Sequence, residues 1–249
     1  MYVGHFAGGV LIKALCPNTP SLPIIFGVGW LDIIDGVLVM LGIDHVRPNP
    51  AAGPYLFFDL VFVDWDHSLL MAVILSAVWA VMMKSKYGTS APEGLALISA
   101  LAVFSHWLGD VPFHNLDLAA YPYSEKHFGW GWWGRFLTMS WVYEGVFSAV
   151  CLGLAAFIFS RRSVDIKWTL LVHGALFLNL SPWLSPMKFV ATLGHPTDYL
   201  VHGALVTVGF VAPGYILCRL LDKSEEEGLK RTLAKTQPPT IATDYGSLE

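Results

Sequence analysis

Seven apolar runs, roughly 2–15, 22–43, 67–84, 93–111, 136–160, 168–186 and 197–221, alternate with polar or proline-bearing breaks along the 249 residues. A helix crossing a hydrocarbon core of about 30 Å needs about 20 such residues. Lipid offers no partner to an exposed amide, so a chain of this kind must bond its backbone within each segment. The pattern therefore predicts an all-α, polytopic membrane helical bundle of about seven segments, the first of them short. Charged residues make up 14 % of the chain and hydrophobic ones 55 %, against about 25 % charge in soluble domains. Disorder and an ordinary soluble fold are excluded. The first run lacks a basic start and a small-residue cleavage site, which argues against a removed signal peptide.

Residues 1–221 are expected to form the transmembrane helical domain and 222–249 a polar, disordered cytoplasmic tail, opened by Ser224-Glu225-Glu226-Glu227 and carrying Pro238-Pro239. Alternating the segments places eleven Lys and Arg on one side and four on the other. Short cytoplasmic loops are enriched in these residues, so the C-terminus is expected in the cytoplasm. Net charge is −4 with scattered basic residues, and the three cysteines match no zinc or redox spacing. Nucleic acid is not an expected partner; membrane lipids are. The two longest loops, Asp44 to Asp66 and Pro112 to Arg135, lie on the non-cytoplasmic side. The second holds Trp130-Gly131-Trp132-Trp133, an aromatic cluster suited to the headgroup level.

The chemistry sits in polar residues inside apolar runs. An ionised carboxylate near the bilayer centre costs roughly 2.5–3.5 kcal/mol on insertion scales and needs a partner. Asp32 and Asp35 lie three apart in the second run, on adjoining positions of one helical face, and Lys and Arg occur only near segment ends. Histidine offers the alternative. His106 and Asp110 are spaced i, i+4 on one stripe, His67-Ser68 opens the third run, and His5 lies near the start of the first. Alternating directions bring His5, His67, His106 and Asp110 to one end, within reach of Asp32 and Asp35. Mixed nitrogen and oxygen donors suit a divalent first-row metal, zinc foremost, or a two-metal centre with a bridging carboxylate. Protonated acids and hydrogen-bonded histidines stitching helices together are the structural alternative. Glu144, His114 or Asp66 would move protons. Asp198 and His202 read as a local pair, His173 as a core histidine, and His45, His127 and His195 as solvated. Ser68 lacks a nucleophile elbow and reads as a helix N-terminal hydroxyl.

Gly4-His5-Phe6-Ala7, the acidic pair of the second segment, His67-Ser68 and His106-x-x-x-Asp110 together resemble the membrane-bound metal-dependent hydrolase family related to the LexA-binding inner-membrane protein, over about residues 1–115. The resemblance implies His5, Asp32, His67, His106 and Asp110 as metal ligands. Where that family has Asp-x-Asp, this chain has Asp32-Ile33-Ile34-Asp35, and Val63-Asp64-Trp65-Asp66 stands where it has His-Arg-Gly. The expected function is hydrolysis of an ester or phosphoester in an amphiphilic, lipid-like small molecule. Two alternatives are an integral-membrane cyclase or isomerase that protonates an isoprenoid with Glu144 or Asp32, and a cation- or proton-coupled transporter.

Overall fold

Proline and glycine decide where the apolar runs become separate helices. A computed structural model describes residues 1–236. Helix α1 (Val3–Leu15) ends before Pro17; α2 (Ser21–Ile25) starts after Pro20, and a 3₁₀ turn over Gly27–Gly29 leads into α3 (Trp30–Met40). An antiparallel hairpin, β1 (His45–Pro48) and β2 (Phe58–Phe62), occupies the first long loop and precedes the single turn of α4 (Asp64–His67). Helices α5 (Leu69–Tyr87) and α6 (Leu95–Phe113) form the next pair, followed by α7 (Trp132–Phe136), α8 (Thr138–Ser160), α9 (Lys167–Asn179), α10 (Met187–Val190) and α11 (Thr197–Thr236).

All seven apolar runs are helical, but they are not seven equal spans. Among the described residues five stretches are long and apolar enough to cross a membrane: Ser21–Met40, Leu69–Ser90, Leu95–Phe113, Thr138–Ser160 and Thr197–Ala234. Helices α1 and α9 have 13 residues each, about 20 Å at 1.5 Å per residue. The run expected over 168–186 stops at Asn179 because Ser181-Pro182 and Ser185-Pro186 interrupt it. Exposed side chains such as Val73, Val81, Leu97, Leu101, Val150 and Phe157 give α5, α6 and α8 apolar outer faces, which water would disfavour and lipid accepts.

The expected tail boundary also moves. Helix α11 does not stop at Leu221 but continues to Thr236, stiffened by i, i+4 pairs such as Glu226 with Lys230 and Glu227 with Arg231. Residues 237–249 of the expected disordered tail lie outside the described residues. Glu225, read from sequence as solvated, holds the buried Lys13 ammonium at 2.6 Å, and Arg162 donates to Ala14 O at 2.9 Å. These contacts bring the ends of α1 and α8 together with the C-terminal third of α11, at the end where the Lys and Arg count groups them.

Two apolar clusters flank the middle of the bundle. Phe6, Val10, Ile24, Val28, Phe159, Phe210 and Leu217 join α1, α2, α8 and α11; Leu31, Trp79, Val103 and Trp107 join α3, α5 and α6. Helices α3 and α11 cross at Gly36 and Gly203. A Cβ on Gly36 would lie 2.4 Å from Gly203 O, and one on Gly203 2.3 Å from Gly36 O, so only small residues permit this approach. Gly36→Ala and Gly203→Ala should each lower stability by about 1–3 kcal/mol, read as a fall in Tm in detergent. Gly153→Ala on α8, where a Cβ meets nothing within 4 Å, should leave Tm unchanged or slightly raised. Three equal Tm values would refute the crossing.

Candidate metal centre

Four segments deliver the polar residues to one place. His5 stands in the first turn of α1 and Asp32 in the first turn of α3, where unpaired amides favour a carboxylate. The Gly27–Gly29 break creates that helix start. His67 is the last residue of α4; Ser68 caps α5 by accepting from Met71 N at 3.4 Å, as expected of a helix N-terminal hydroxyl. His106 and Asp110 lie on the buried stripe of α6, and His114 is the residue that ends it. Helix α6 runs one residue past Pro112, so His114 is tethered at the helix end rather than carried on a free loop.

The donor atoms lie at ligand-to-ligand spacing. His67 Nε2 and His106 Nε2 are 3.2 Å apart; Asp32 Oδ1 is 3.6 Å from the first and Asp32 Oδ2 3.5 Å from the second. Asp110 Oδ2 approaches the same two nitrogens at 3.7 and 2.9 Å. Four ligands at about 2.0–2.1 Å from a tetrahedral ion are about 3.3–3.4 Å from one another, which these separations bracket. Asp110 Oδ1 lies 3.1 Å from His5 Nε2 and 3.7 Å from His114 Nε2. It also accepts from the Met1 α-amino group, so this carboxylate, unlike the others, has an ammonium beside it.

The outer nitrogens show which atoms are free. His106 Nδ1 donates to Val28 O at 2.7 Å; a carbonyl only accepts, so the neutral ring keeps its proton there and presents a bare lone pair at Nε2. His67 Nδ1 is 3.0 Å from Asp66 Oδ1 and His114 Nδ1 3.1 Å from Asp117 Oδ1, the outer-shell arrangement that fixes metal-binding imidazoles. Trp107 Nε1 donates to His67 O at 2.8 Å and steadies the α4 turn. His5 Nε2 and Asp110 Oδ2 are buried without a hydrogen-bond partner. Nitrogen and carboxylate donors thus converge on one buried place, a set that a dication would hold.

The expected residues separate by role. His5, Asp32, His67, His106 and Asp110 converge. Asp35 lies within 4.8 Å of Asp66 and His67, in a neighbouring group. Asp66 is fully buried with one oxygen on His67, which makes it an orienting residue rather than the expected proton carrier. Burial holds its carboxyl well above the usual carboxylate range, reinforced by the Asp44 and Asp32 charges, and pushes Asp44 up to about 6. Both oxygens of Glu144 are engaged. Its Oε1 accepts from Tyr2 N at 2.7 Å and Gly4 N at 3.0 Å, and its Oε2 from Tyr55 Oη at 2.5 Å. It caps α1 from the neighbouring helix and thereby positions His5. His173 is a core histidine donating to Thr169 O, and His45, His127 and His195 are exposed, all as expected. His202 instead packs on Phe58, with Nδ1 unpartnered rather than bonded to Asp198.

Sequence reasoning missed Val28, Asp117 and Tyr55. An acid three residues after His114 was a visible signal for Asp117; nothing local marks a backbone carbonyl or a loop tyrosine. A cavity of about 240 Å³ opens beside the cluster. Asp32, Asp35, His67 and His114 border it on one side, and its remaining wall is mainly apolar, including Leu56, Leu60, Leu180, Met187, Leu205 and Phe210. Comparison of the chain with family profiles, curated proteins and solved structures finds no match.

Proposed function

We propose that the protein is a membrane-embedded, metal-dependent hydrolase acting on an ester or phosphoester of an amphiphilic substrate. The observation that carries this reading is the convergence of Asp32, His67 Nε2 and His106 Nε2 at 3.2–3.6 Å, beside an apolar cavity that also reaches Asp32 and His67. The donor set suits zinc, and the resemblance carried by His5, His67-Ser68 and His106-x-x-x-Asp110 points the same way. A divalent cation bound there would supply Lewis acidity and a water of pKa near ~7.

The chain's own residues do the rest. His67, His106, Asp32 and Asp110 would hold the cation, while Asp66 and the Val28 carbonyl set the orientation of the two imidazoles. The apolar wall takes the substrate's hydrocarbon part and excludes bulk water, so that the scissile group lies against the polar side. Hydrolysis forms a bond from the water oxygen to the acyl carbon or phosphorus, breaks the bond to the leaving oxygen, and transfers one water proton to the leaving alcohol. Of the three residues expected to move protons, Glu144 and Asp66 do not border the cavity, and His114 borders it as a nitrogen donor beside Asp110. The excess of Lys and Arg at the opposite end supports an opening on the non-cytoplasmic face, with the C-terminus in the cytoplasm. Both Glu144 oxygens already accept hydrogen bonds, so of the two acids named for an isoprenoid cyclase only Asp32 borders the cavity.

The test is metal analysis of the purified chain together with turnover of fluorogenic amphiphilic esters and phosphodiesters. Bound metal, activity abolished by chelation and recovery on adding Zn²⁺ are expected. A chain that takes up no divalent metal at all would sink the proposal.

A further inference from the structure

We infer that the cluster holds two divalent cations bridged by the Asp110 carboxylate, an inference that rests on the metal-dependent reading and adds a second ligand set to it. The two oxygens of Asp110 serve different imidazoles. Oδ2 is 2.9 Å from His106 Nε2 and 3.7 Å from His67 Nε2, the pair that also meets Asp32. Oδ1 is 3.1 Å from His5 Nε2 and 3.7 Å from His114 Nε2. The second set we assign is Asp110 Oδ1 with His5 and His114, each of which approaches that oxygen. His5 is 4 % exposed and its Nε2 has no hydrogen-bond partner, a buried nitrogen donor with no role in the first position. The Asp117 carboxylate turns His114 Nε2 toward the same oxygen.

The Met1 α-amino group donates to Oδ1, so a cation in the second position would take its place on that oxygen. Paired metals about 3.5–4 Å apart clamp the attacking and leaving oxygens of a phosphoryl group, and a shared carboxylate would hold two ions close to one another. The substrate class that fits such a pair best is an amphiphilic phosphoester.

Equilibrium dialysis of the metal-stripped full chain in detergent against Zn²⁺ alone, followed by elemental analysis, should give two equivalents. Co²⁺ loading should give a magnetically coupled electron-spin resonance signal. His5→Ala and His114→Ala should each fall to one equivalent with an uncoupled signal. The coupling in the unaltered chain and a milder His5→Gln variant guard against misfolding of the alanine variants. One uncoupled equivalent in the unaltered chain would overturn this inference and leave the hydrolase proposal standing; no bound metal would overturn both.

Discussion

Replacing His106 with Ala should remove metal binding and, with it, turnover. His106 is fully buried, and its Nε2 lies close to three other donors: 2.9 Å from Asp110 Oδ2, 3.2 Å from His67 Nε2 and 3.5 Å from Asp32 Oδ2. Disturbing only an outer-shell partner costs about 10–100-fold in affinity, so loss of the ligand itself should cost at least ~100-fold. Thermal unfolding separates this from a structural role. A ligand that binds only the folded chain adds RT ln(1 + [L]/Kd) to stability, about 4 kcal/mol at a thousandfold excess over Kd. Zn²⁺ should therefore raise the Tm of the unaltered chain and leave that of His106→Ala unmoved. If Zn²⁺ shifts neither, the histidines and acids only stitch helices together. Asp110→Ala should behave in the same way, and more severely where the bridging role holds.

Glu144 offers the second large effect, and the contrast between two variants carries the information. Glu144→Ala leaves Tyr2 N, Gly4 N and Tyr55 Oη without an acceptor in a buried place. Stability should fall by about 3–4 kcal/mol, since each orphaned donor costs about 1–3 kcal/mol, and His5 should lose its fixed position. Glu144→Gln keeps one oxygen for the two amides, and the tyrosine hydroxyl can turn to accept from the new amide, so a loss of about 1 kcal/mol is expected. Turnover in Glu144→Gln should fall less than ~10-fold. A general base would show a fall of about 10²–10⁴-fold; a stable Gln variant with such a loss would return Glu144 to the chemistry.

Much of the centre was legible because its signals are local. His106 and Asp110 share a helix stripe by spacing alone, and acids within apolar runs stand out because burial is expensive. Lys13 and Glu225 show the opposite case. One is a cation in a short apolar run and the other sits in a charge-rich stretch, and only their 2.6 Å contact reveals that each accounts for the other. The acids of the sequence also look alike. Whether a buried carboxylate caps a helix, as Glu144 does, orients an imidazole, as Asp66 does, or meets several donor nitrogens, as Asp110 does, depends on atoms from other segments.

By itself the sequence determined that the chain is helical and has stretches apolar enough for a membrane, and it marked the histidines and acids that do not belong in oil. Those conclusions need only side-chain periodicity and the cost of desolvation, which are local quantities. The tertiary structure decided that among the described residues five stretches are long and apolar enough to span, that α11 runs past Leu221, and that the Val28 carbonyl and the Asp66 and Asp117 carboxylates set the imidazoles. These depend on where helices break and which faces meet, and a hydrogen bond between residues 78 positions apart, as between His106 and Val28, leaves no trace in the spacing of either one.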